Sequence, residues 1–168
     1  MKIISVLTLA TATLFLVKCH KPYPDDSIVH INCDGLTTDT LGTGDNARIY
    51  MPNAFTPNGD GLNDISKPYT QNVTAIAFTI YDGNNTVVFT TTTLGAGWTT
   101  TVAANTSTTY YFKIQATTAG GRHIGVCGNL YKLSCFPANI FRGDLYFSDQ
   151  LTLNGFTGPT AESMGTCP

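Results

Sequence analysis

Asn58, Asp60, Asn63 and Asp64 place four hard-oxygen side chains within seven residues, with Gly59 and Gly61 between them. Such oxygens suit a divalent hard cation, calcium first, and the glycines let the backbone turn sharply enough for them to converge. Set against an EF-hand loop, Asn58, Asp60 and Gly61 take its third, fifth and sixth positions, while Thr56 takes the first and Lys67 the twelfth. Neither end residue is a carboxylate, so the loop is not an EF-hand. The same residues also suit a series of Asx-turns, in which the side chains accept backbone N–H groups and no metal is needed. The sequence leaves both readings open.

Catalytic chemistry finds less to work with. No Gly-x-Ser-x-Gly elbow is present, His20 and His30 precede the region of regular pattern, and His123 falls on an expected strand as a structural imidazole. Asp144 and Asp149 flank another expected strand, and no pair of carboxylates stands out as an acid–base couple. The expectation is a non-enzyme with no catalytic residues. Trp98, Tyr110 and Tyr111 could stack on a glycan, which makes a carbohydrate-binding module the weaker alternative, but a β core claims aromatics by default. With 9 basic against 11 acidic residues, a net charge of -2 and no basic cluster, nucleic acid is excluded as a partner.

The elements that would carry these residues are strands. Glu occurs once, at Glu162, while β-branched Thr is abundant, so the composition leans all-β. From Val73 to Tyr81, Ile76, Phe78 and Ile80 fall on one face, which predicts a half-buried strand. Asp82-Gly83-Asn84-Asn85 then turns the chain into Thr86–Thr90, completing a hairpin. Thr109–Thr117 alternates Tyr110, Phe112 and Ile114 against Tyr111, Lys113 and Gln115. Shorter strands are expected at Trp98–Val102, His123–Val126, Tyr131–Leu133, Asp144–Phe147 and Gln150–Asn154. The fold expected is an antiparallel immunoglobulin-like β-sandwich of seven to eight strands.

The amino end reads as an export signal. Lys2 precedes an uncharged apolar stretch from Ile3 to Val17, too short for a stable membrane anchor and right for a signal h-region. Leu16-Val17-Lys18-Cys19 resembles a lipobox, which implies cleavage before Cys19 and its lipidation; cleavage by signal peptidase I is the alternative. Five cysteines are odd in number for an exported protein, and a lipid on Cys19 leaves four to pair. Of the three possible connectivities, Cys127–Cys135 closing a short loop and Cys33–Cys167 joining the two ends is the one expected. Residues 1–18 are then signal peptide, 19–47 a polar, Pro- and Gly-punctuated tether, and 48–168 the domain.

Pro52-Asn53-Ala54-Phe55-Thr56-Pro57-Asn58-Gly59-Asp60-Gly61, with Asn63-Asp64, resembles the opening signature of the gliding motility-associated C-terminal domain, the type B sorting domain of type IX secretion. The resemblance continues more loosely through Ile80-Tyr81-Asp82-Gly83, Gly97-Trp98 and Thr109–Ile114, over roughly residues 49 to 153. It implies a small β-sandwich that directs an exported protein across the outer membrane to the cell surface. In addition, Asp26-Ser27-Ile28 and Asp39-Thr40-Leu41 resemble O-glycosylation acceptors. Together these expectations describe an outer-membrane lipoprotein whose sandwich is an interaction module for a secretion or gliding component. The alternative is a minimal type IX substrate, delivered to the surface as a structural or adhesive protein.

Overall fold

The computed structural model describes residues 32–42 and 44–168. The signal segment, Cys19 and the Asp26-Ser27-Ile28 motif therefore lie outside the described residues. Within them the chain forms β1 (Arg48–Tyr50), β2 (Ala54–Phe55), β3 (Ile65–Ser66), β4 (Tyr69–Gln71), β5 (Val73–Tyr81), β6 (Val87–Thr91), β7 (Trp98–Thr99), β8 (Ser107–Thr118), β9 (His123–Leu133), β10 (Leu151–Thr152) and β11 (Gly155–Phe156). Regular helix is confined to two short 3-10 turns, Arg142–Asp144 and Ser148–Gln150. The fold is all-β, as the composition predicts.

Alternation in β5 and β8 builds the central sheet, whose strand order is β2-β9-β8-β5-β6. Ile76, Phe78 and Ile80 of β5 turn inward beside Phe112, Ile114 and Ala116 of β8, and all six are buried. Phe55 and Leu130 complete this cluster. A fully buried side chain of this size contributes about 1.5–3 kcal/mol over an exposed one, so this face holds the sheet in place. Three two-stranded ribbons, β1–β4, β3–β7 and β10–β11, supply the remaining pairing.

Trp98 packs at 5.4 Å from the Phe55 ring and 5.0 Å from Tyr110, a core role. Tyr111 is buried on the opposite face because its ring stacks on Tyr81 at 4.7 Å and its hydroxyl meets Asn85. That burial, with the Tyr81 and Asp82 charges, pushes the Tyr111 phenol above its ordinary value.

Several expectations need correction. The sheet is not wholly antiparallel: β2 runs parallel to β9, pairing Ala54 with Tyr131 and Phe55 with Lys132. The short strands expected on either side of a small cysteine loop are one continuous strand, β9. The predicted strand at Asp144–Phe147 is instead a 3-10 turn followed by irregular chain. The segment from Asn32 to Gly42, expected to be free spacer, lies along the sheet. Thr38 exchanges bonds with both backbone groups of Gly125, the Asp39 N–H donates to the His123 carbonyl, and Gln115 accepts from and donates to the Thr37 backbone.

The disulfides are Cys33–Cys127 and Cys135–Cys167, not the pairing expected. Eight residues of extended chain span roughly 26 Å at about 3.3 Å each, far beyond the Cα separation a disulfide tolerates. Cys127 on a straight β9 therefore cannot reach Cys135. In the chain-entropy model the bridges, with sequence separations of 94 and 32, would contribute about 5 and about 4 kcal/mol.

Trypsin cleaves after Arg122, Lys132 and Arg142, which puts Cys127, Cys135 and Cys167 on separate peptides. Non-reducing digestion is expected to give a peptide containing Cys33 linked to 123–132, and 133–142 linked to 143–168. A link between 123–132 and 133–142 would contradict the strand continuity described here.

Candidate functional site

The segment from Pro52 to Asp64 starts as core and ends as an exposed turn. Ala54 and Phe55 are buried because β2 is inserted beside β9. Thr56 follows, 1% exposed, and its N–H donates to the Asn63 carbonyl at 2.9 Å, closing the loop at its base. Gly59 and Gly61 adopt φ +84° and +90°, and Asn63 adopts φ +51°, so the chain reverses in a few residues through conformations that glycine and asparagine tolerate.

Within the loop the acidic and amide groups point at the backbone. Asp64 accepts the Gly59 N–H on Oδ1 and the Gly61 N–H on Oδ2, each at 2.8 Å. Asp60 Oδ1 accepts the Leu62 N–H at 2.8 Å, and Asn58 Oδ1 accepts the Asp60 N–H at 3.0 Å. The Leu62 N–H first and the Asn58 side chain second hold the Asp60 carboxyl below its ordinary value of 3.8. The Asn58 and Asp60 bonds are Asx-turns, the metal-free arrangement the sequence permits, while Asp64 caps N–H groups behind it in the loop.

Asn63 is different from its neighbours. Its side chain leaves the loop and enters the C-terminal segment, where Oδ1 accepts from the Ser148 hydroxyl at 2.7 Å and the Asp149 N–H at 3.0 Å. Its Nδ2 donates to Asp149 Oδ1 at 3.1 Å and to Glu162 Oε1 at 3.0 Å. The Thr56 hydroxyl donates to the same Glu162 oxygen. Asn58, Asp60 and Asp64 thus stay together in the loop, but Asn63 does not join them as a fourth ligand. No group of three or more His, Cys, Asp or Glu side chains among the described residues is arranged to hold a metal. In this arrangement the Asn63 amide is directed at Ser148, Asp149 and Glu162, while Asn58, Asp60 and Asp64 bond within the loop.

Sequence reasoning missed Asn53, Asp149 and Glu162. Asn53 Nδ2 donates to the Asp144 carbonyl at 2.7 Å, and its Oδ1 accepts the Tyr146 N–H at 2.6 Å. Asp149 also takes the Thr160 hydroxyl and the Ala161 N–H. The contacts these residues make with Thr56, Asn63, Asp144 and Tyr146 span 86 to 106 residues, so no local pattern signals them. His123 meets Asp39, whose Oδ2 lies 3.0 Å from the ring Nδ1 and accepts the His123 N–H at 2.8 Å. The backbone bond, then the ring, hold the Asp39 carboxyl below its usual range.

Asp64→Ala leaves two loop N–H groups without their acceptor and is expected to cost about 1–2 kcal/mol in denaturant unfolding. Asn63→Ala should cost about 3 kcal/mol, because it leaves the Ser148 hydroxyl and the Asp149 N–H without their acceptor, removes one donor from each of the two carboxylates, and puts at positive φ a residue without asparagine's tolerance for it. Calcium at millimolar concentration is expected to leave the melting temperature unchanged; a rise of several degrees would show the loop oxygens turned to a cation. Asp39 and Asp60 have lowered pKa values in the fold, so their stabilising effect is complete above the ordinary carboxylate value and is lost as pH falls through the folded one. Asp60→Asn should accordingly weaken the acid dependence of unfolding, measured by titrating stability downward from pH 5.

Residues 49–127 match the family model described as CHU_C Type IX secretion signal domain. No curated protein and no solved structure matches the chain. The matched stretch runs from β1 to Cys127 in β9 and contains the whole signature loop, while the end of β9, the Cys135–Cys167 bridge and the partners of Asn63 lie beyond it. Over residues 49–127 the chain is therefore similar to the CHU_C type IX secretion signal domain, which relates it to type IX secretion.

Proposed function

We propose that this chain is a non-enzymatic protein of the cell envelope whose β domain is a recognition module for a component of the type IX secretion or gliding apparatus. In this reading Cys19 carries the lipid that holds the domain at the outer membrane. The observation that carries the proposal is the family match over 49–127, with the signature loop formed as an ordered turn inside it. The side chains suited to acid–base chemistry support the non-enzymatic part. His123 is paired with Asp39 at the surface, and Asp149 and Glu162 serve as acceptors for Asn63 and for the hydroxyls of Thr160 and Thr56.

The match to a secretion signal supports a second reading as well. Here the domain is chiefly an address, and the chain is a small exported protein with a structural or adhesive task at the surface.

A fusion of the full chain to a reporter, compared with the same fusion lacking residues 51–168, separates the two readings. Lost surface delivery on deletion favours the address; intact delivery with lost capture of a secretion or gliding component favours the recognition module. If the deletion changes neither, both readings fail. Intact-mass measurement of the mature protein should show an acyl addition on a chain beginning at Cys19 together with the loss of four thiol hydrogens. An unmodified amino terminus would remove the lipid from the account.

A further inference from the structure

Three polar side chains of the signature, those of Asn53, Thr56 and Asn63, bond to a part of the chain that the family match does not include. The match ends at Cys127, yet both side-chain partners of Asn53 come from Asp144 and Tyr146. All four bonds of the Asn63 side chain go to Ser148, Asp149 and Glu162. Glu162 also takes the Thr56 hydroxyl, and the Tyr146 carbonyl takes the Ala54 N–H at 3.2 Å.

The segment that makes these contacts has its own attachment. Leu145 and Phe147 are buried with Ala54, Leu133 and Phe136 in a second apolar cluster, separate from the one that holds the central sheet. Its far end returns to the end of β9: the Phe136 N–H donates to the Gly165 carbonyl, the Cys167 N–H donates to the Phe136 carbonyl, and Cys135–Cys167 closes the join covalently. The segment is thus seated by one apolar plug, one polar clamp and one bridge, all placed on the signature side of the domain.

We propose that residues 134–168 form a built-in cover on the signal domain, seated on the signature and latched by Cys135–Cys167, and that the covered form is the less readily recognised one. This rests on the recognition role proposed above and adds its regulation. A partner that reads Asn53, Thr56 or Asn63 must displace Tyr146, Asp149 and Glu162 first, because a buried amide with all its bonds satisfied has none to offer. A ligand shifts such an equilibrium only through its preference for the uncovered form, so weakening the cover raises apparent affinity by the increase in that form's population.

Two variants of the full-length chain test this. Cys135→Ser with Cys167→Ser cuts the latch; Asp149→Ala with Glu162→Ala loosens the clamp while keeping both disulfides and every signature residue. Hydrogen exchange at the Ala54 amide reports the cover, and surface delivery of the reporter fusion, or capture of its partner, reports recognition. Exchange is expected to accelerate at least tenfold in both variants, with delivery or capture rising several-fold over wild type. Faster exchange with unchanged or reduced recognition would overturn the proposal, making the segment a structural extension only. Unchanged exchange in the clamp variant would also overturn it, and that variant decides the matter if the latch variant fails to fold. A wild-type chain whose delivery and capture survive deletion of residues 51–168 would instead sink the recognition role itself, so the two failures are distinguishable.

Discussion

The Asn63 side chain joins the signature loop to a segment 85 to 99 residues further along the chain. Its residue sits at positive φ so that the loop can turn, and the same turn aims its amide away from the loop into the C-terminal segment. There one amide satisfies a hydroxyl, a backbone N–H and two carboxylates. A buried amide left unbonded costs roughly 1–3 kcal/mol, so the loop conformation and the docking of the segment are mutually dependent. The remaining loop residues follow from that choice: with Asn63 turned away, Asp64 and Asp60 are free to cap the N–H groups of Gly59, Gly61 and Leu62.

Two apolar clusters divide the labour of holding this arrangement. The first, between β5, β8, β9 and Phe55, fixes the sheet and therefore the point where β2 enters the loop. The second, around Phe147 and Leu145, fixes the C-terminal segment against the far side of the same two-residue strand through Ala54. Phe55 faces one cluster and Ala54 the other, as the alternation of side chains along a strand requires. A single short strand thus separates the sheet's core from the seat of the segment.

The parts legible in the sequence are those governed by local alternation. Ile76, Phe78 and Ile80 announced the buried face of β5, and Phe112 and Ile114 that of β8, because a period of two needs no knowledge of distant residues. The Asx-turn alternative was legible for the same reason, since Asn58, Asp60 and Asp64 act within a few residues of themselves. What failed was long range. The cysteine loop expected between His123–Val126 and Tyr131–Leu133 is strand instead, and Gly125 and Gly128 are strand residues where another group comes close. A β-carbon at Gly125 would meet Leu36 Cβ at 2.8 Å, and one at Gly128 would meet the Phe112 ring at 3.1 Å. Reading β9 as broken made Cys127–Cys135 look feasible and left Cys33 to the far terminus. The same error hid the packing of residues 32–42, because the small residue at Gly125 is what lets that segment lie down. The bonds from Asn63 to Ser148, Asp149 and Glu162 cross 85 to 99 residues, and no local pattern encodes them.

The most direct test of this coupling is a double-mutant cycle between Asn63→Ala and Glu162→Ala, read by denaturant unfolding of the oxidised full-length protein. Residues in one hydrogen-bond network are coupled, and the account predicts an interaction energy of about 1–2 kcal/mol, with the double variant less destabilised than the sum of the singles. Strictly additive effects, with no coupling beyond about 0.3 kcal/mol, would mean that loop and segment do not meet at Asn63 and would contradict the account.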